Sequence, residues 1–278
     1  MPAATDPIRL YWMTDIHLVD ELTGRPDAPG AIWMERHYYA ALDKLRQAVD
    51  IVNRERPDCV VCTGDVIDRA QPLASFLQEW ERIEPPAAFM IGNHDLDIGG
   101  AAFEAQFGIA GEPLTAGSRF NRSFAIRKGD AAVRVVLLDT YIGENGQRLY
   151  DTCEGTITEA AFAWLEDELL ACPERVIALF AHNGLGGPEE YFDRRAVARF
   201  AGLAAKAAER GRTILHLAGH HHVHPVAKVV EMQPGYTFIN GVAMICEDTS
   251  SVNVLEVHAD GTWRLDYRPV GAGCAPVR

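Results

Sequence analysis

Five short apolar runs in this 278-residue chain each close on aspartate, histidine or asparagine, and that recurrence constrains the fold more than any other feature. "IRLYWMTD" (8–15) leads to Asp15 and His17, and "DCVVCTGD" (58–65) leads to Asp65 and Asp68. "AAFMIGNHD" (87–95) leads to Asn93, His94 and Asp95. "RVIALFAHNG" (175–184) carries His182, and "TILHLAGHHHVH" (213–224) carries His220, His221, His222 and His224. Runs of this length, rich in β-branched and aromatic residues, read as strands. In open α/β sheets, ligands bind beyond the carboxyl ends of strands. The pattern therefore predicts one polar site assembled from strand ends.

Helical patterns fill the gaps. From Trp33 to about Glu55, Leu42, Leu45, Val49 and Val52 recur at spacings of three and four, and Pro57 marks the end. A second helix is predicted over 73–83. This β-α-β-α-β rhythm implies a parallel or mixed sheet with helices outside. The later half predicts a hairpin over 123–140 turning at Lys128-Gly129-Asp130, then a polar loop over 143–156. A Thr-capped helix over 158–171 and a helix over 194–210 follow. A strand over 236–244 and a hairpin over 251–270 complete a mostly antiparallel end. With no 20–50-residue repeat and no Pro/Ser-rich linker, the reading is one domain spanning 1–278.

Composition excludes some classes. The net charge of −13 disfavours a nucleic-acid polymer or an anionic membrane as partner. It does not exclude a small anionic substrate, because a bound cation can reverse the local field. The N-terminus lacks a basic start and apolar core of a signal peptide, and no apolar stretch approaches the ~20 residues of a membrane span. A cytoplasmic location is the expectation. The six cysteines then read as free thiols, with Cys59 and Cys62 buried in a strand rather than forming a redox or zinc pair. "NRS" at Asn121–Ser123 fits a glycosylation acceptor but would be idle without export.

"TDIH" (14–17), "GDVID" (64–68), "GNHD" (92–95), His182 in "FAHN" and "GHHH" (219–222) together resemble the signature blocks of the calcineurin-like metallophosphoesterases. The resemblance implies an α/β fold: a four-layer αββα sandwich of two mixed β-sheets flanked by helices. It implies two metal ions, Mn, Fe or Zn, to which carboxylates and imidazoles are suited. By residue match, the first would be held by Asp15, His17, Asp65 and His222, and the second by Asp65, Asn93, His182 and His220. Water held between two such cations loses a proton near neutrality and attacks phosphorus as bridging hydroxide. His94 resembles the family's catalytic histidine, which would stabilise charge on phosphorus or protonate the leaving oxygen. Asp68 would orient it, with Asp95 as a competing partner. Arg69 would meet a phosphate oxygen or form a surface ion pair.

The Gly-His-x-His block and the hairpin after it are similar to the cyclic-nucleotide and glycerophosphodiester phosphodiesterase branch. "GDxxDR" and "AHNGL" are similar to the phosphoprotein-phosphatase branch. The expected activity is hydrolysis of a small phosphodiester. A monoesterase or pyrophosphohydrolase on the same centre is the alternative, and a non-catalytic scaffold is disfavoured by the complete motif set. Candidate substrate contacts are Asn93, His94, Trp33, His37, Asn183 and His224, while Tyr38 or Tyr39 fits core packing. "AHNGLGGPEEY" departs from the family's usual sequence after the histidine, which bears on substrate access. In an extended run, His220 and His222 would share a face and His221 would point away. The loops 20–32, 143–156 and 184–193 are long enough to serve as lids. A homodimer is expected from the branch.

Overall fold

The computed structural model describes residues 6–19, 32, 33, 35–68, 73–98, 100–106, 111, 114–150, 152–185 and 192–272. In chain order the elements are β1 (Ile8–Met13), β2 (Ile32–Trp33), β3 (Arg36–His37), α1 (Tyr38–Glu55), β4 (Cys59–Cys62), α2 (Leu73–Trp80), β5 (Ala87–Phe89) and α3 (Gly100–Gln106). Next come β6 (Arg122–Lys128), β7 (Ala131–Leu137), α4 (Glu159–Ala171), β8 (Val176–Phe180), α5 (Arg194–Glu209) and β9 (Thr213–Val223). β10 (Lys228–Gln233), β11 (Tyr236–Val242), β12 (Thr249–Val257) and β13 (Trp263–Gly271) complete the chain.

Strand alternation builds three cores and hence four layers. Ile8, Leu10 and Trp12 of β1 face the same core as Cys59 and Val61 of β4. Val133, Val135 and Leu137 of β7 and Val176, Ala178 and Phe180 of β8 meet them there. The alternate residues Tyr11, Met13, Val60 and Cys62 pack with Leu45, Val49 and Val52 of α1 instead. On the far side, Val136, Ile177 and Leu179 pack with Phe162 and Leu165 of α4 and Phe200 and Leu203 of α5. The order is therefore helices, sheet, sheet, helices, as the αββα reading expects. Trp12 is the largest fully buried side chain, edge-on to Phe180 at 6.2 Å between the sheets. Truncating such a residue costs about 3–5 kcal/mol.

Both sheets are mixed. The first runs β13-β12-β1-β4-β5, with β1, β4 and β5 parallel and β12 antiparallel to β1. The second runs β10-β11-β9-β8-β7-β6, with β11, β9, β8 and β7 parallel. The loops after β1, β4 and β8 and the end of β9 come together at one rim. Among the described residues, no helix is long and apolar enough to cross a membrane.

Several boundaries differ from the sequence expectation. The helix expected from Trp33 begins at Tyr38, and Ile32–Trp33 pairs with Arg36–His37 as a small antiparallel hairpin. Tertiary pairing overrides periodicity there: His37 N donates to Ile245 O at 2.9 Å, and Arg36 bridges Cys246. The third strand ends at Phe89, and His94–Ile98 forms a 3-10 turn. The chain end is mostly antiparallel as expected, in the β10–β11, β12–β13 and β1–β12 pairs, but β11 lies parallel to β9. β10 and α3 were not anticipated. The Thr158 cap is as expected, its Oγ1 accepting from Ala161 N at 3.1 Å.

Candidate metal centre

The loops after β1 and β4 zip together at the rim. His17 N donates to Asp65 O at 2.9 Å and Leu18 N to Val66 O at 3.0 Å. Glycines make this closeness possible. A Cβ on Gly64 (φ +97°) would lie 2.3 Å from Gly92 N, and one on Gly219 would lie 1.8 Å from Thr14 Oγ1. Asp15, His17, Asp65, His220 and His222 all hold positive φ, between 46° and 71°. Left-handed backbone costs a non-glycine residue of order 1–3 kcal/mol and concentrates at functional sites. These five are more than half of the nine such residues among the described ones.

Three sets of candidate ligands result: Asp15, His17, Asp65 and His222; Asp65, His182 and His220; and His17, Asp68 and His94. Asp65 joins the first two: its Oδ2 lies 3.2 Å from His182 Nε2 and 3.6 Å from His17 Nε2. His17 Nε2 and His222 Nε2 stand 2.9 Å apart, and His220 Nδ1 lies 3.3 Å from His182 Nε2. Two imidazoles on one ion, at about 2.1 Å each, have nitrogens about 3–3.4 Å apart. His182 Nδ1 donates to Thr63 O at 2.9 Å, which leaves Nε2 to act as ligand. The buried His17 Nδ1 has no hydrogen bond, with Asp68 Oδ1 3.4 Å away. The donor set fits Mn, Fe or Zn.

Electrostatics agree. Burial pushes His17 and His222 down to about 4 and His220 down to about 2, so these rings are neutral lone-pair donors at pH 7. Burial also opposes charge on His182, but the adjacent Asp65 carboxylate carries it up to about 9. A cation held there would take the place of the proton. Against its own burial, Asp65 is held well below the carboxylate range by His182 and His17.

His94 belongs with Asp68, its Nδ1 lying 2.6 Å from Asp68 Oδ1. Burial works against its charge, yet the Asp68 hydrogen bond and the Asp65 and Asp68 charges raise it to about 9. Asp95 does not compete for that role. Its fully buried carboxylate accepts from Asp65 N at 2.8 Å, Val66 N at 2.9 Å and Gly92 N at 2.8 Å, so it shapes the loop beneath the ligands.

The remaining candidates separate. Asn93 Oδ1 accepts from Tyr141 OH at 3.3 Å, and Asn93 is next in sequence to His94, whose N donates to Asp65 Oδ1. Asn183 is fully buried and donates to Cys153 O at 2.8 Å, which ties a loop down rather than facing substrate. His224 Nε2 donates to Thr249 O at 3.0 Å, and His37 Nδ1 lies 2.9 Å from Asp248 Oδ1; both point elsewhere. His221 lies against the His220 ring at 5.4 Å. His220 and His222 do converge from β9, but each holds a left-handed φ, 71° and 46°, rather than the regular extended backbone expected. Trp33 is 54% exposed beside Arg36. The 143–156 loop is pinned where Arg148 meets Glu104 at 2.8 Å and Asp139. Arg69, residues 20–31 and residues 186–191 lie outside the described residues.

Three residues escaped the sequence reading. Tyr141 follows β7 at its carboxyl end, so the strand-end rule could have found it. Arg36 donates to Asp68 Oδ2 at 3.1 Å and carried no signal in sequence. Neither did Lys44, fully buried on α1, whose Nζ donates to Met244 O at 2.8 Å and Cys246 O at 2.9 Å. It braces the loop in which Ile245 N donates to Asp15 O at 2.9 Å.

Among solved structures, the fold is similar to a dimetal phosphatase from Danio rerio, with TM-score 0.73 and 15% identity over 96% of this chain and 97% of that one. It is also similar to a 5'-nucleotidase precursor from Thermus thermophilus, with TM-score 0.54 and 15% identity over 95% of this chain and 54% of that one. An NAD nucleotidase from Haemophilus influenzae gives TM-score 0.57 and 12% identity over 95% of this chain and 56% of that one. The chain thus spans about half the length of each nucleotidase, and at these identities the likeness is one of fold. No curated protein matches the sequence. The family model for calcineurin-like phosphoesterases matches residues 8–224, most of the chain. With that match and the two ligand sets around Asp65, the chain belongs to the calcineurin-like phosphoesterase family.

Proposed function

We propose that the chain hydrolyses a small-molecule phosphodiester. Two metal ions would be held by Asp15, His17, Asp65 and His222 on one side and by Asp65, Asn93, His182 and His220 on the other. The carrying observation is the Asp65 Oδ2 atom, which faces His182 Nε2 at 3.2 Å and His17 Nε2 at 3.6 Å. When bound, two such cations supply Lewis-acid polarisation of phosphoryl oxygens and acidify water near neutrality.

The chain's own groups supply position and a proton. His94 N donates to Asp65 Oδ1 at 2.9 Å, which fixes the shared carboxylate and the start of the 3-10 turn together. Asp68 holds His94 at Nδ1, so Nε2 is the nitrogen that hands a proton to the leaving oxygen. Charge supports a diester over a monoester. Asp15, Asp65 and Asp68 line the site of a chain with net charge −13, and a monoanionic disubstituted phosphate meets less repulsion than a dianion. The acidic surface supports a small substrate over a polyanion.

The test compares bis(p-nitrophenyl) phosphate with p-nitrophenyl phosphate after reconstitution with Mn, Fe or Zn. The diester is expected to turn over faster. Asp65→Asn and His94→Ala are each expected to lower turnover by roughly 100-fold or more with the fold intact. Faster monoester turnover would leave a phosphoesterase but reject the diester. No turnover of either ester by metal-loaded protein would reject the whole reading.

A further inference from the structure

Asp68 divides its two carboxylate oxygens between two kinds of partner. Oδ1 lies 2.6 Å from His94 Nδ1. Oδ2 accepts from the Tyr38 hydroxyl and from Arg36 Nη1, the latter at 3.1 Å. Arg36 Nη1 also lies 3.3 Å from Asp68 Oδ1 and 3.4 Å from the Tyr38 oxygen, so the two side chains grip the carboxylate together. Both are anchored. Arg36 pairs with Trp33 across the small hairpin and bridges Cys246. Tyr38 opens α1, with its ring packed against the helix-side core.

The grip matters because Asp68 has a second claimant. His17 is fully buried, and its Nδ1, without a hydrogen bond, lies 3.4 Å from Asp68 Oδ1. With Nε2 turned toward His222 and Asp65, His17 carries its proton on Nδ1. A buried donor without an acceptor is costly, so an unheld Asp68 would gain by turning to His17 and would let the His94 ring go.

We propose that Tyr38 and Arg36 are positioning residues for the proton given to the leaving oxygen: they hold Asp68 by Oδ2, which commits Oδ1 to His94 and aims His94 Nε2 at the substrate. This rests on the reading of the centre as a phosphodiesterase with His94 at the leaving oxygen. As water oxygen bonds to phosphorus, the bond to the leaving oxygen breaks. The electron pair stays on that oxygen, and the Nε2 proton joins it. His94 is left neutral with its Nδ1 proton on Asp68, and the proton shed by the attacking water restores it. Alkoxides and plain phenoxides leave badly as anions and need that proton, whereas p-nitrophenoxide leaves readily without it. Tyr38 and Arg36 thus bear on which esters are cleaved rather than on how tightly they bind.

Two diesters with one methyl arm test this: methyl p-nitrophenyl phosphate and methyl phenyl phosphate, which differ only in the leaving phenol. The readout is kcat and KM for each with metal-reconstituted protein, alongside metal content by plasma mass spectrometry. Tyr38→Phe, which removes only a hydroxyl, and Arg36→Ala are each expected to lower the phenyl-to-nitrophenyl ratio of kcat roughly 10- to 100-fold, the worth of a hydrogen bond to a charged group, with KM and metal content kept. Arg36→Lys should restore part of the ratio. Tyr38→Phe added to His94→Ala should leave the ratio where His94→Ala alone puts it, because groups that act as a unit are not additive. An unchanged ratio in Tyr38→Phe and Arg36→Ala, or a further fall in the His94→Ala background, overturns the proposal. Wild type that cleaves only the nitrophenyl ester also overturns it and leaves the phosphodiester reading standing. Wild type that cleaves neither diester rejects both.

Discussion

His17 and His222, 205 residues apart in sequence, bring their Nε2 atoms to 2.9 Å of one another. Two ring nitrogens at that distance are stable only with a proton or a cation between them. Metal is therefore expected to stabilise the protein. A free ion at about 100 times its Kd contributes roughly 2.7 kcal/mol, or roughly 5–10 °C in Tm for a chain of this size. Calorimetry with and without chelator checks this, and an unchanged Tm would contradict it. His222→Ala should lose one of two ions per chain by plasma mass spectrometry.

Gly219→Ala is expected to weaken metal binding without unfolding the chain. The added methyl would lie 1.8 Å from Thr14 Oγ1 and 2.6 Å from Asp15 Oδ2, so the Asp15 carboxylate must move. Loss of such support costs about 10- to 100-fold in affinity. Gly202→Ala, inside α5 with nothing within 4 Å of the new methyl, is the control and should stabilise by about 0.5–1 kcal/mol. A metal titration of the two variants separates the effects.

Of the described cysteines, only Cys153 is expected to react with Ellman's reagent in the native protein. Cys153 is exposed, whereas Cys59, Cys62, Cys172 and Cys246 are buried. Burial pushes the Cys59 thiol up to about 12 and raises Cys62 further still. Their spacing of three places Cys59 between the sheets and Cys62 toward the helices, so they cannot pair. Rapid native labelling of either would refute this.

Acid sensitivity should trace in part to Glu55. Burial favours its neutral form, but Tyr11 OH and Arg268 Nε, the latter at 2.7 Å, donate to its carboxylate and lower its pKa. A folded-state pKa below the unfolded one gives stability that is complete above the unfolded value and is lost as pH falls through the folded one. Glu55→Gln is expected to cost at most about 1 kcal/mol at pH 7, because water still reaches the carboxylate. Urea midpoints should show the variant losing less stability than wild type between about pH 5 and 3. Parallel curves would exclude the contribution.

The strands and their polar ends were legible because parallel strands buried on both faces read as unbroken apolar runs. The chemistry then sits where each run stops. β10 was illegible for the opposite reason: "KVVEMQ" is largely exposed and carries no burial pattern. The start of α1 was misread because periodicity cannot see Ile245 or Cys246, which hold Arg36 and His37 in a strand. Asp95 looked like a partner for its neighbour in sequence, yet its partners are backbone groups about thirty residues away and at Gly92. The left-handed φ values at His220 and His222 within β9 accompany contacts with Asp15, whose carboxylate accepts from His220 N at 3.0 Å, and local sequence does not encode them.

Asp15, His17 and Asp65 follow strands of one sheet, while His182, His220 and His222 belong to strands of the other. An ion shared among them is a cross-link between remote parts of the chain. It ties together residues some two hundred positions apart without a covalent bond, and because it binds the folded chain and is released on unfolding, it stabilises by mass action rather than by constraining the unfolded chain as a disulfide would. A protein whose C-x-x-C cysteines face apart would thus have, in any ions held by this site, a staple that forms and opens with metal supply rather than with redox state.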